Sequence, residues 1–195
     1  MNFTRLEIPD VILCESKTLS DERGYFSETF RQDKLEEFLG FSVNFCQENE
    51  SKSTFGVLRG LHYQLAPCAQ TKLVRVIQGA VLDISVDLRK DSPTFGKYIA
   101  IELSEENKKQ ILIPRGFAHG FVVLSKEAVL AYKVDNYYHQ VSERGIAYDD
   151  KSLAINWKLK LEDIKVSAKD AKQVLLKNAD LFYIHLIIFS SSRVP

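Results

Sequence analysis

The chain has 195 residues, which suits a single domain with a substantial core, and its 26 basic and 26 acidic side chains give a formal net charge of zero. Hydrophobic residues make up 45% and charged residues 27%, the composition of an ordinary soluble globular protein. The charge balance excludes an extended basic surface for nucleic acid or an anionic membrane, so any anion-binding patch must be local.

The cysteines and the first residues of the chain bear on its compartment. Three scattered cysteines without a CxxC spacing favour a reducing environment. Arg5, Glu7 and Asp10 interrupt any apolar run at the start of the chain, so no signal peptide is predicted. We therefore expect a cytoplasmic protein.

In chain order, the first predicted element is a short helix over residues 32–39. Leu35, Phe38 and Leu39 share one face of it, and Gly40 provides a C-terminal stop. Alternating apolar and polar residues then predict strands over 73–77 and 81–87, joined as a hairpin through the turn at Gly79. Further strands are predicted over 97–103, 110–113, 121–124 and 128–134.

Many short strands separated by turn residues indicate an all-β sandwich or barrel, flanked by short helices. The second of these helices is predicted over 167–178, because Ser167 and Asp170 have the spacing of a capping box. We divide the chain into one domain over 1–183 and an atypical apolar and serine-rich tail over 184–195. The tail is too short to span a bilayer, which needs about 20 residues, and is either an added strand, an interface element or a non-native extension.

Two histidines lie in apolar segments that are typical of strands, one in the run 59–64 and one in the run 114–121. The second run keeps the Pro-x-Gly-x2-His spacing of a metal-binding cupin, ending at His119. The first run has His62 but carries Gln64 where a metal-binding cupin has its next histidine. A transition metal held by one imidazole lacks ligands, so we predict a pocket without a metal, in which His62 is free to move protons.

Eight motifs in order make the chain resemble the dTDP-4-dehydrorhamnose 3,5-epimerase family, over about 9–180. They lie at 21–28, 47–53, 57–64, 72–75, 92–96, 114–121, 132–138 and 167–171. The resemblance implies a cupin-type jelly roll (a double-stranded β-helix) that forms a homodimer and needs no cofactor. It also implies epimerisation of dTDP-4-dehydro-6-deoxy-D-glucose to dTDP-4-dehydro-L-rhamnose at C3 and C5.

Such a reaction needs a base on one face of the sugar, an acid on the other, and a donor for the enolate oxygen. By resemblance His62 is the base, Asp170 orients it, Tyr132 is the acid and Lys72 polarises the C4 oxygen. Each has an ordinary structural alternative. A lone strand histidine is usually a hydrogen-bonding residue, strand tyrosines usually pack, strand lysines usually face solvent, and Asp170 could simply cap a helix.

The remaining matched positions imply substrate binding. Arginine suits the diphosphate because its planar guanidinium donates two parallel hydrogen bonds, which favours Arg59, and Arg23 from the neighbouring subunit. His119 is expected to form a hydrogen bond with the sugar or its carbonyl, and Tyr137 or Tyr138 could stack on the nucleobase. The structural alternatives are surface ion pairing for the arginines and core packing for the histidine and the tyrosines. The other expected binding residues are Glu28, Gln47, Glu48, Asn49, Glu143 and Lys169.

Three other functions are compatible with parts of this pattern. A relative could invert only C3 or only C5, or act on another nucleotide sugar, since one base can serve both steps. A non-catalytic cupin could bind sugar nucleotides, although a binder needs no opposed acid and base. A metal-dependent cupin isomerase or dioxygenase would need the ligands that the first motif lacks.

Overall fold

Two antiparallel sheets hold most of the strands in this computed structural model, which describes residues 1–183. One sheet has six strands in the order β1-β2-β10-β7-β12-β5, and the other has five in the order β13-β6-β11-β8-β9. The strands β3 and β4 form a separate hairpin. The elements are β1 (Asn2–Arg5), β2 (Ile12–Glu15), β3 (Thr18–Asp21), β4 (Gly24–Ser27), α1 (Gln32–Leu39), β5 (Gln47–Thr54), β6 (Leu58–Gln64), β7 (Lys72–Gln78), β8 (Ala80–Asp87), β9 (Tyr98–Ser104), β10 (Lys109–Ile113), β11 (Phe117–Val123), β12 (Glu127–Val134) and β13 (Glu143–Gly145).

From β5 to β8 the chain alternates between the two sheets, and β10 to β13 alternate again. This alternation is the arrangement of a jelly roll, so the predicted mainly β fold is confirmed. The main core lies between the sheets, where Val74 and Leu130 of one sheet meet Val81 and Phe121 of the other. Branched and aromatic side chains alternate inward along these strands, which is why the sequence showed a period of two.

The helix α1 begins and ends where the sequence predicts. Leu35 is buried, and Phe38 and Leu39 pack in the same cluster against Ile12 and Leu112 on the outer face of the six-stranded sheet. Gly40 ends the helix with a left-handed φ of 79°, and its N–H donates to the Glu36 carbonyl. A residue with a Cβ would be strained in that conformation.

The predicted hairpin of 73–77 with 81–87 is wrong, although both segments are strands. They lie in different sheets: β7 pairs with β10 and β12, whereas β8 pairs with β9 and β11. At Gly79 the chain leaves one sheet for the other, with a φ of 75° and its N–H donating to Glu105. A Cβ at this position would lie 2.1 Å from the Glu127 carbonyl oxygen.

The predicted second helix over 167–178 is also wrong. The structure has only two 3-10 turns there, Asp170–Lys172 and Leu176–Asn178. The surrounding segment, residues 164–183, runs along the five-stranded sheet and is called here the C-terminal strap. Single parallel bridges join it to the rest of the fold, and this pairing uses backbone groups that a helix would occupy internally. The bridges are Val57 with Lys165, Ile146 with Val174, and Arg89 with Phe182.

The tail prediction for 184–195 lies outside the described residues. Within residues 1–183, the only α-helix has eight residues, and no helix has the length and apolar character needed to cross a bilayer.

Candidate active site

A pocket of about 660 Å³ lies between the sheets and is closed on one side by the strap. Strands β5, β6, β7, β11 and β12 contribute inward-facing side chains to it, and the strap contributes the acidic and basic residues at 169–170. Most of the site residues predicted from sequence line this pocket: Gln47, Asn49, Arg59, His62, Lys72, His119, Tyr132, Tyr138, Glu143, Lys169 and Asp170.

His62 and Asp170 form a hydrogen-bonded pair in the pocket wall. His62 Nε2–H donates to Asp170 Oδ1 at 2.7 Å, and the side chains are 29% and 5% exposed respectively. In the neutral ring this places the lone pair on Nδ1. Ser167 Oγ accepts from the Asp170 N–H at 3.0 Å, so the serine performs the capping while the aspartate side chain is free for the histidine.

The environment of Asp170 favours its carboxylate form. Burial by itself would raise its pKa, but the hydrogen bond to His62, the charge of that ring, and the donors at Gly60 and Ser167 outweigh burial. The net pKa therefore lies below the usual range of an aspartate. A permanently charged partner stabilises the imidazolium that forms when His62 takes up a proton.

His119 lies directly opposite His62 in the register of β11 with β6, and it has its own carboxylate. His119 Nε2–H donates to Asp83 Oδ2 at 2.7 Å, with the histidine side chain 9% exposed and Asp83 fully buried. Asp83 was not among the site residues predicted from the sequence. Its signal was the inward alternation of polar residues along β8, where Asp83, Ser85 and Asp87 are all buried.

Two glycines bring these histidines together. Gly60 has a φ of 142°, and a Cβ there would lie 2.5 Å from the Gly120 Cα. A Cβ on Gly120 would lie 2.8 Å from the Arg59 carbonyl oxygen. The two strands therefore approach more closely at this point than side chains would allow, next to a register shift between His119 and Phe121.

Tyr132 and Lys72 are the other candidate chemical groups in the pocket. Burial raises the pKa of Tyr132, and the nearby charge of Arg59 only partly opposes this, so the phenol keeps its proton. Burial lowers the pKa of Lys72 to about 8, against the opposing charges of Asp83 and Glu143. Lys72 Nζ donates to the His62 carbonyl oxygen at 3.5 Å, which keeps the ammonium beside the candidate base.

Polar residues at the rim form a second group. Tyr138 Oη–H donates to Glu143 Oε2 at 2.9 Å, and Lys169 Nζ lies 2.6 Å from the same oxygen. Gln47 donates to Asn49 at 2.8 Å. Arg59 donates to Ser53 Oγ at 3.0 Å. Neutral, acidic and basic side chains that can donate or accept hydrogen bonds therefore surround the pocket entrance.

Four predicted binding residues lie elsewhere. Arg23 is at the tip of the β3–β4 hairpin, where it pairs with Asp21. Glu28 and Glu48 line a separate depression on the outer face of the six-stranded sheet, where Glu48 pairs with Lys133. Tyr137 is 66% exposed and does not line the pocket, whereas its neighbour Tyr138 does.

Within residues 1–183, no three histidine, cysteine, aspartate or glutamate side chains are placed to share a metal ion. At both pocket histidines the Nε2 atom is hydrogen bonded to a carboxylate. The arrangement provides what proton transfer next to a carbonyl requires: a base backed by a carboxylate, a protonated phenol and an ammonium group. Fold and site together therefore define a cupin-type isomerase.

Comparison with known proteins specifies the family. The model of the dTDP-4-dehydrorhamnose 3,5-epimerase family matches residues 5–178. The chain belongs to that family. The curated enzyme of this name from Shigella flexneri is 53% identical over 182 residues, covering 93% of this chain and 99% of its own.

Two solved structures show how close the likeness is. The epimerase from Legionella pneumophila, determined in complex with dTDP-4-keto-L-rhamnose, superposes with a TM-score of 0.89 at 48% identity and covers 93% of this chain and 97% of its own. ChmJ, a 3'-monoepimerase from Streptomyces bikiniensis determined with dTDP-quinovose, has a TM-score of 0.86 at 29% identity and covers 93% of each chain. The predicted jelly roll and the predicted isomerase class are confirmed by these relatives.

Proposed function

We propose that this chain converts dTDP-4-dehydro-6-deoxy-D-glucose to dTDP-4-dehydro-L-rhamnose by inverting C3 and C5. The observation that carries the proposal is the His62–Asp170 pair in one pocket with Tyr132 and Lys72. The Legionella pneumophila relative, at 48% identity, was determined with dTDP-4-keto-L-rhamnose. A 4-keto sugar has acidic hydrogens at both carbons beside the carbonyl, so one set of groups can serve two successive inversions.

His62 is the base in each cycle. Its Nδ1 removes the proton from the carbon, and the electron pair of the broken C–H bond forms the enolate on the C4 oxygen. Asp170 holds the ring through Nε2 and stabilises its positive charge. Tyr132 then returns a proton to the opposite face of the carbon. Before the next cycle the imidazolium of His62 releases its proton to solvent, and the phenolate of Tyr132 takes one up from solvent.

The enolate oxygen needs positive charge or a hydrogen-bond donor while it exists. Lys72 is the proposed cation, and its lowered pKa of about 8 leaves it mostly protonated at neutral pH. His119 is the proposed orienting group for the sugar: its Nε2–H is bonded to Asp83, so the neutral ring offers a hydrogen-bond acceptor at Nδ1. Its own carboxylate, Asp83, is buried and fixes the ring in place.

Nucleotide binding is assigned to the rim. Arg59 is proposed to bind the diphosphate. Tyr138 is proposed to stack on the nucleobase, because Tyr138 rather than Tyr137 faces the pocket. The other proposed rim contacts are Gln47, Asn49, Glu143 and Lys169.

We also propose a homodimer in which the neighbouring subunit completes the site. Arg23 and Glu28 lie away from their own pocket, on and beside the exposed β3–β4 hairpin. Leu19, Tyr25 and Phe26 of that hairpin are 56%, 61% and 69% exposed, which is unusual for large apolar side chains and typical of an interface. The family resemblance implies that Arg23 comes from the neighbouring subunit. A cytoplasmic location and a single domain over 1–183 complete the proposal.

A C3-only epimerase is the second candidate, because ChmJ, a 3'-monoepimerase, shares the fold at 29% identity. One experiment separates the two. The protein is incubated with dTDP-4-dehydro-6-deoxyglucose in deuterated water, and the label is located by NMR. Deuterium at both C3 and C5 with the doubly inverted product supports the proposal, whereas label at C3 alone would assign the monoepimerase reaction. If neither C3 nor C5 carries label, both candidates are refuted.

A further inference from the structure

The side chain of Gln64 fastens the loop that carries the rim tyrosines. This loop, residues 135–139, connects β12 to the 3-10 turn Gln140–Ser142 and is called here the aromatic loop. Gln64 is the last residue of β6, two positions after His62, and is only 4% exposed. It is the residue that stands where a metal-binding cupin has a histidine.

The two N–H groups and the oxygen of the Gln64 amide are all hydrogen bonded to the backbone. Nε2 donates to the Cys68 carbonyl at 2.6 Å and to the Tyr137 carbonyl at 3.2 Å. Oε1 accepts from the His139 N–H at 2.7 Å. The amide thus bonds the aromatic loop on both sides of Tyr138 and links it to the loop after β6.

This set of partners explains the residue type. Two carbonyls and one N–H require two donors and one acceptor, which a primary amide supplies. A neutral histidine supplies one donor and one acceptor, so it would leave a buried carbonyl without its partner, and a glutamate would face two carbonyls with no proton to give. The glutamine therefore has a use of its own at this position.

Tyr138 depends on this support because the residue is 56% exposed. Its N–H donates to Gln47 at 3.1 Å and its hydroxyl donates to Glu143 at 2.9 Å, and both partners are also rim side chains. Gln64 is the buried member of the group, linking the rim to β6 and hence to His62.

We propose that Gln64 is a positioning residue for the nucleobase: it fixes the aromatic loop so that Tyr138 presents its ring to the base of the nucleotide. The inference rests on the proposed function, since it takes a nucleotide sugar as the ligand. In this proposal β6 has two roles. His62 transfers protons, and Gln64 positions the nucleotide-binding loop.

The test compares two ligands that share the diphosphate, only one of which carries the nucleoside. Affinities for dTDP and for inorganic pyrophosphate are measured by calorimetry for the parent protein and Gln64→Met, together with kcat and KM for the keto sugar nucleotide. We expect Kd for dTDP and KM to rise about tenfold, the equivalent of one lost hydrogen-bonded contact. The pyrophosphate affinity and kcat should stay within about twofold, because phosphate contacts and chemistry do not pass through the loop.

Two further variants define the mechanism of the effect. Tyr138→Ala should weaken dTDP binding, and Gln64→Met added to it should cost little more, because both act through the same ring. Trp157→Phe is the matched control: it removes a buried donor to the Tyr148 carbonyl away from the pocket and should leave both affinities unchanged.

Several results would overturn the inference. These are unchanged dTDP affinity in folded Gln64→Met, equal loss for dTDP and pyrophosphate, or a fall in kcat with KM unchanged. If Gln64→Met does not fold, Gln64→Glu gives the same comparison, and failure of both to fold would make Gln64 a residue of the core instead. A parent protein that binds dTDP but does not epimerise would refute the proposed function and still leave these affinities to decide the role of Gln64.

Discussion

The two pocket histidines differ in the exposure that their strands give them. Each has a carboxylate at 2.7 Å, but the His62 side chain is 29% exposed and that of His119 is 9% exposed. A base must reach the carbon it deprotonates, so the more accessible ring is the better candidate, and the enclosed ring is better suited to orienting the substrate.

Removing the proposed base or its aspartate partner should impair proton exchange while nucleotide binding is kept. His62→Asn should abolish deuterium exchange at both C3 and C5. Asp170→Asn keeps the shape but loses the charge that stabilises the imidazolium, and should slow exchange by about 10²- to 10⁴-fold. Exchange is followed by NMR, with dTDP affinity as the control for an intact pocket. Exchange at parental rates in folded His62→Asn would eliminate it as the base.

Tyr132→Phe removes the proton donor and keeps the ring. Because burial raises the pKa of this phenol, it is present as the acid throughout the working pH range. The variant should retain some exchange, since the base is intact, while conversion to the doubly inverted product slows by about 10²-fold or more. Product is measured by chromatography. Conversion at the parental rate would place the acid elsewhere.

Lys72 should set the alkaline limit of activity. Its pKa in the free protein is about 8, below the ordinary value of 10.5, so the ammonium is lost as pH rises through 8. We expect kcat/KM to fall above that pH, since this ratio reports groups of the free enzyme. Lys72→Arg, whose guanidinium stays charged, should lose this limb of the profile even if its rate is lower. An identical limb in the arginine variant would assign it to another group.

At the scale of elements, a prediction from sequence succeeded where the residues that determine the element are close together in the chain. The helix Gln32–Leu39 was predicted to the residue because its apolar face and Gly40 stop are contained in nine positions. The hairpin through Gly79 failed because alternation identifies strands but not the sheet that each joins. The helix predicted over 167–178 was wrong although its capping pattern is real, with the Asp170 N–H bonded to Ser167. Bridges to distant parts of the chain use the backbone groups that a helix would need.

The same distinction applies to the pocket. His62 and His119 could be located from motifs, and the family pattern placed Asp170 with them. The alternation along β8 marked Asp83 as an inward-facing residue, but its pairing with His119 and the loop contacts of Gln64 could not be predicted, because they join residues 36 and 75 positions apart with no motif of their own. Such pairs are fixed by the register of β8, β11 and the aromatic loop.

The strap supplies a test by truncation. Phe182 is 4% exposed, its N–H and carbonyl bond Leu88 and Lys90, and its ring packs on Tyr63. Deleting 184–195 should leave turnover within about twofold, because the family match ends at residue 178. Deleting 181–195 also removes this anchor and should destabilise the fold by about 3–5 kcal/mol, the range for a buried phenylalanine. Unfolding is measured in urea. Strongly reduced turnover in a folded chain ending at 183 would mean that the tail contributes to the site.

At the scale of the whole molecule, the distribution of site residues predicts complementation between subunits. Arg23→Ala and His62→Asn chains should each be inactive alone. Mixed and refolded together, they should recover about a quarter of the parental activity, because half of the randomly formed dimers contain one site with both parent residues. Activity is compared with the separately refolded chains. No recovery from a mixture shown to contain mixed dimers would mean that Arg23 serves its own pocket or none.

The strap's delivery of Asp170 also has a consequence for protein synthesis. His62, Lys72 and Tyr132 all lie in the strands, whereas Asp170, the proposed partner of the base, belongs to a segment that emerges from the ribosome after them. A nascent chain that has folded its sheets would contain the proposed base, acid and cation but not the aspartate. Chemical competence therefore arrives when the strap docks, so catalysis reports on completion of the fold.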